Sequence, residues 1–182
     1  MNSLFKEIDQ ICFVVNDIME SIKIFNDSYG IGPWAIMNFG YKEGDAEFND
    51  NAVEIDNAVT DGKAVGTYAA KLAVCNFVSN IQLEIIQPLD DRSTFGKYLK
   101  EHGPGIHHIS IKNGPFKESL QIMADAGFTP GMTVRIDGHE DTAFVDHMNP
   151  LGTFLELHDR GDDFTPPKVR LEMYPPDAKP DF

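Results

Sequence analysis

Apolar and polar residues alternate in two short stretches, 8–15 and 106–112, as expected of strands with one buried face. In the first, Ile11, Phe13 and Val15 share one face, while Gln10, Cys12 and Val14 share the other. In the second, His107, Ile109 and Ile111 oppose His108 and Ser110. Each strand leads through polar or turn residues (Asn16-Asp17, then Asn113-Gly114-Pro115) into a segment with helical spacing. That spacing is carried by Ile18, Ile22 and Phe25 in one segment and by Phe116, Leu120 and Met123 in the other. Both helices should stop near a glycine, at Gly30 and Gly127. Further strand-like runs follow at 34–41, 67–77 and 81–88, then at 132–136, 142–146 and 153–158.

The two series are one pattern written twice. A shift of 98 residues places Gln10 on His108 and Glu20-Ser21-Ile22 on Glu118-Ser119-Leu120. Each half reads βαβββ, so the expected class is α+β, built from two similar modules. The expected organisation is a first module over 1–89, a linking helix over 90–104, a second module over 105–160 and an extended tail over 161–182. The tail holds five of the eleven prolines, which argues against regular structure there. Residues 42–63 are acidic and rich in Asn and Gly, and read as a long loop.

The same alternation isolates four polar groups. Glu84 opposes Leu83 and Ile85 in one strand, and Glu156 opposes Leu155 and Leu157 in another. With Gln10 and His108, four strands each carry one metal-capable group near the centre of the face opposite their aliphatic side. A mid-strand carboxylate needs either water or a cation. Open solvent would satisfy each group singly. Their equivalent places in a duplicated unit favour convergence on one ion.

Composition narrows the partners. The formal charge is -14, from 29 acids and 15 bases, so a phosphate backbone is repelled and no nucleic-acid partner is expected. Only Arg92, Lys97 and Lys100 could form a local basic patch. No apolar run approaches a membrane span, and the first residues lack a signal-peptide pattern, so no membrane is expected. Two cysteines, Cys12 and Cys75, both within apolar stretches, suggest reduced thiols in a cytoplasmic protein.

The opening IDQICFVVNDI, the run IQLEIIQPL, the motif GPGIHHISI and the ending LGTFLEL together resemble the vicinal-oxygen-chelate superfamily. That superfamily includes glyoxalase I, methylmalonyl-CoA epimerase, extradiol dioxygenases and bleomycin-resistance proteins, and the resemblance spans about residues 6–160. It implies that the two βαβββ modules form a cupped mixed sheet around one divalent ion (Mn, Co, Ni, Zn or Mg) held by Gln10, Glu84, His108 and Glu156. It also implies an isomerase, epimerase or lyase that abstracts a proton beside a carbonyl through a metal-bound enediolate, with Glu156 or Glu84 as base. The substrate would be a small carbonyl compound, and pairing through exposed sheet edges predicts a homodimer. Methylmalonyl-CoA epimerase takes a further glutamate from the region that here reads TDGKAVGTYAAKLAV, which offers only Asp61.

Two other readings compete. A sequestering protein of the same fold would bind a ligand without chemistry, but needs no pair of buried glutamates. An extradiol dioxygenase would use two histidines and one carboxylate, whereas the four positions hold one histidine. His107 should point away from His108 and serve a structural or supporting role. His147, just before the last strand, is a possible substrate contact. Cys12 reads as a small core residue.

Overall fold

The computed structural model describes residues 5–76, 81–159 and 168–180. The end of the strand read to 77, residue 160 of the second module, and residues 161–167 and 181–182 of the region read as tail fall outside them. The first half contains β1 (Glu7–Val14), α1 (Ile18–Lys23), β2 (Trp34–Gly40), α2 (Ala46–Asp50), β3 (Ala52–Val53), β4 (Ile55–Thr60), β5 (Lys63–Gly66), β6 (Ala69–Asn76) and β7 (Gln82–Pro88). After α3 (Thr94–His102) come β8 (Gly105–Lys112), α4 (Phe116–Asp125), β9 (Pro130–Ile136), β10 (Glu140–His147), α5 (Met148–Leu151), β11 (Thr153–His158) and β12 (Glu172–Tyr174).

One mixed sheet curls into a half-barrel, in the order β12-β2-β6-β7-β1-β8-β11-β10-β9-β4-β5, with β3 beside β2. The duplication is visible in the pairing. β1 runs parallel to β7 as β8 runs parallel to β11, and β1 meets β8 antiparallel at the centre. Cys12 lies opposite Glu84 as Ser110, 98 residues further on, lies opposite Glu156, so the repeat is expressed in register although the second glutamate follows the first by 72 residues.

The strand faces divide as their alternation requires. Ile11, Phe13 and Val15 pack outward under α1, whose Ile18 and Ile22 are buried against Trp34, Ala73 and Ile85. Asp17 starts α1 by accepting the Glu20 backbone N–H at 2.9 Å, satisfying a donor that the helix itself cannot. The second module repeats this with Met123 of α4 over Val145 and Leu157. Cys12, Val14, Leu72, Val74, Ile86, Phe95 and Phe144 instead line the concave side, where the largest core lies.

Two expectations are corrected. Residues 42–63 are not a loop. β3 runs parallel to β2, with Val53 opposite Phe39, and β4 then pairs antiparallel with β9, Ile55 opposite Ile136. The segment therefore crosses from the outer part of the first module's sheet to that of the second and walls the cup. Nor is the tail wholly irregular, because β12 pairs with β2, Met173 opposite Ala35.

Candidate metal and substrate site

Three strands deliver charged groups to one point inside the cup. His108 of β8 is wholly buried, and its Nε2 lies 3.3 Å from Glu84 Oε2 of β7 and 3.2 Å from Glu156 Oε2 of β11. Burial opposes charge on His108, yet the carboxylates of Glu156 and Glu84 raise it to about 9. Burial also works against the Glu156 carboxylate, but His158 and His108 hold it well below the usual carboxylate range. Although they adjoin, His108 Nε2 and Glu156 Oε2 both lack a hydrogen-bond partner of acceptable geometry. Buried polar atoms are rarely left so. These atoms, with the second carboxylate of Glu84, are the donor set that a divalent cation takes.

The remaining sequence candidates are placed less uniformly. Gln10 lines the same cavity, and its amide Nε2 donates to Gln82 Oε1 at 2.6 Å. Cys12 is directly across from Glu84 and His108, and ligand atoms of these three lie within 4.8 Å of one another. The core reading of Cys12 holds for its burial, but its sulfur also borders the cluster. Burial and the Glu84 carboxylate beside it push the thiol well up, so Cys12 stays protonated and hydrogen-bonds to Glu84.

His107 does not point away. Register passes from Cys12↔His108 to Phe13↔Ile106, so His107 is the extra residue of a bulge, and bulges re-aim side chains. Its Nδ1 lies 3.0 Å from that of His108, and its ring stacks on Phe154 at 4.7 Å. Burial and His108 keep His107 neutral. It can thus fix the His108 ring and direct Nε2 toward the carboxylates. His147 is buried, stacks on Phe128 at 4.0 Å and is not part of the cavity lining. Asp61 is ion-paired to Lys97 and also lies outside it.

His158 was on the correct strand face in the sequence but carried no assigned role. Its Nε2 contacts Glu156 Oε2 at 3.1 Å and Ser110 Oγ at 3.1 Å, while Nδ1 contacts Glu140 Oε1 at 2.7 Å. With both nitrogens engaged, it buttresses Glu156. Its i+2 spacing from Glu156 was the available signal.

The cluster opens on a cavity of ≈ 110 Å³. Its walls are largely apolar, with Met37, Phe39, Leu72, Ile86, Phe95 and Phe144. The basic patch considered from sequence does not reach it. Arg92 is held by Asp90 at 2.6 Å, Lys97 by Asp61 and Lys100 by Asp91 at 3.5 Å. Among the described residues, no helix is long and apolar enough to cross a membrane.

The family described as the Glyoxalase/Bleomycin resistance protein/Dioxygenase superfamily matches residues 9–144. Methylmalonyl-CoA epimerase from Mycobacterium tuberculosis shares the fold at TM-score 0.53 and 18% identity, over 87% of this chain and 90% of that one. A hypothetical protein from Bacillus halodurans superposes at TM-score 0.56 and 17% identity, over 88% and 98%. Streptomyces coelicolor methylmalonyl-CoA epimerase, as a substituted variant in complex with 2-nitronate-propionyl-CoA, gives 0.55 and 17%, over 89% and 99%. No curated protein is a significant sequence match.

Proposed function

The chain belongs to the glyoxalase/bleomycin resistance protein/dioxygenase superfamily, and from that premise we propose a metal-dependent enzyme that moves a proton beside a carbonyl. The reaction class is isomerase, epimerase or lyase, with a small carbonyl compound as substrate. One observation carries this reading: His108 Nε2 is buried against carboxylate oxygens of both Glu84 and Glu156, and neither it nor Glu156 Oε2 makes an aligned hydrogen bond. Epimerases of the same fold support it, at the level of architecture alone.

In this reading Glu84, His108 and Glu156 hold a divalent ion, with Gln10 as a fourth donor. The ion, when bound, supplies Lewis-acid polarisation of the substrate's carbonyl oxygen. Glu156 takes the proton and returns it. The neighbouring His158 and His108 hold its carboxylate ionised and therefore ready to accept a proton. His158 and Ser110 keep Glu156 in one position, and the apolar walls exclude water from the reacting carbon. Two free, buried thiols agree with a cytoplasmic setting.

The test is solvent deuterium exchange by metal-loaded protein, with a panel of 2-oxoaldehyde adducts and acyl-CoA esters. Incorporation at the carbon beside the carbonyl supports the proposal. Tight binding without exchange across the panel would replace it with a ligand-sequestering role.

A further inference from the structure

The charges around the cavity restrict what can enter it. Glu84 and Glu156 line it, as do Glu140 and Asp137, yet no lysine or arginine does so among the described residues. If Glu84 and Glu156 hold a divalent ion, their two charges cancel its own. Little positive surplus then remains to attract an anion. Glu140 is paired with His158 at 2.7 Å; Asp137 is half-buried in the β9–β10 turn, where the exposed His139, also in the lining, meets its backbone carbonyl at 2.8 Å, and its carboxylate forms no ion pair among the described residues. A substrate carboxylate would meet net negative charge in a confined, mostly apolar space, with poor compensation for its lost water.

A neutral donor is present. Tyr68 is buried, its ring 5.8 Å from that of Phe95, and its hydroxyl makes no hydrogen bond to any described residue. It lines the cavity together with Glu84 and Glu156. Burial, reinforced by those carboxylates, pushes its ionisation to higher pH, so the hydroxyl keeps its proton.

We propose that the site selects a small, uncharged and largely apolar enolisable carbonyl compound, that Tyr68 donates to one of its oxygens, and that carboxylated analogues are rejected. This rests on the proton-transfer reading above and narrows its substrate class. The reaction needs no outside reagent: the carbon–hydrogen bond breaks to Glu156, its electron pair delocalises onto the carbonyl oxygen, and reprotonation at carbon restores the charge balance.

A matched pair of probes tests it. Diethyl methylmalonate and monoethyl methylmalonate share the acidic carbon–hydrogen bond, but only the second is an anion at pH 7. Affinities are measured by ligand-observed NMR on Mg- or Zn-loaded protein, with deuterium exchange followed in the same tubes. The diester should bind at least about ten times more tightly. Tyr68→Phe should weaken diester binding about three- to tenfold without changing metal content, the range for one lost hydrogen bond. Asp137→Asn, which tolerates the left-handed φ of 51° there, should shrink the preference for the diester. Equal or tighter binding of the monoester would overturn the proposal, as would failure of both to bind. An unaltered preference in Asp137→Asn would remove its electrostatic basis. Diester binding without exchange would instead support the selectivity while ending the catalytic reading.

Discussion

His108 Nε2 and Glu156 Oε2 stand 3.2 Å apart in the interior, and each lacks an aligned hydrogen-bond partner. A cation between such groups must displace the proton that the two carboxylates hold on His108. With His108 raised to about 9, metal binding at pH 7 should release close to one proton from that ring. Below about pH 9 the affinity should therefore rise with pH, by up to tenfold per unit, and flatten above it. Calorimetric titration in buffers of different ionisation enthalpy checks this. Binding heats that do not vary with buffer would exclude His108 as a ligand.

The ligand set makes a second prediction. Glu84→Ala combined with Glu156→Ala should retain no divalent metal, because both anionic donors are gone and only neutral groups remain. Elemental analysis of dialysed protein is sufficient. Equal metal in the double variant and the parent would remove the central claim about the site.

Glu156→Gln separates holding the ion from moving the proton. The amide retains an oxygen donor but has no useful proton affinity. Turnover should fall by about 10² to 10⁴ at saturating metal, the usual cost of losing a general base. Metal affinity should fall less, and excess metal should restore occupancy by mass action. Near-normal exchange at full occupancy would transfer the base role to Glu84.

His158 offers a subtler readout, since it lines the cavity but both its nitrogens are engaged, by Glu156 and Ser110 on one side and Glu140 on the other. His158→Ala should reduce kcat by about 10- to 100-fold with little change in KM, as loss of an orienting partner does. His158→Gln, which keeps a donor, should recover part of the loss. A KM effect with unchanged kcat would assign His158 to substrate binding instead.

How far the chain could be read in advance follows from local geometry. β1, β7 and β11 were legible because period-two alternation runs on from Gln10 to Val14 and through Glu84 and Glu156, and β8 because it holds from His108 onward. His107 was misdirected because a bulge breaks that alternation and carries no compositional mark. β4 was hidden for a related reason: its register with β9 shifts between Asp56 and Val59, and Asn57 takes a positive φ of 51°. Its partner is also in the other module, and non-local pairing leaves no trace in a short acidic segment. Cys12 and His158 lie on the faces alternation assigns them; what was missing was the cross-strand register that brings them to Glu84 and Glu156.

Assembly is testable independently of chemistry. The strand order leaves β12 and β5 at the sheet's ends, and exposed edges favour pairing with a second copy. Light scattering at micromolar concentration should give about twice the 20.3 kDa chain mass. A clean monomer would refute the dimer.

Gly96 sets two effects against each other, and their sizes decide the sign. It lies in α3, where replacing glycine by alanine ordinarily stabilises a helix by about 1 kcal/mol. A Cβ at this position, however, would stand 2.0 Å from the Asp90 carbonyl oxygen and 2.8 Å from Asp91 Cα. Both are backbone atoms and cannot swing aside like a flexible side chain. Asp90 is further anchored, since its carboxylate accepts from the Ala69 N–H at 2.8 Å and from Arg92. The helix must therefore move away from the cavity wall, to which it contributes Phe95. Overpacking of this kind costs about 1–3 kcal/mol and more against rigid backbone, so the clash outweighs the propensity gain. Gly96→Ala should lower unfolding stability by about 2 kcal/mol in a denaturant titration with unchanged slope. It should also weaken diester binding, because Phe95 shifts with the helix. A stabilised variant would show that α3 yields to the added methyl at no cost and that helix propensity decides the sign.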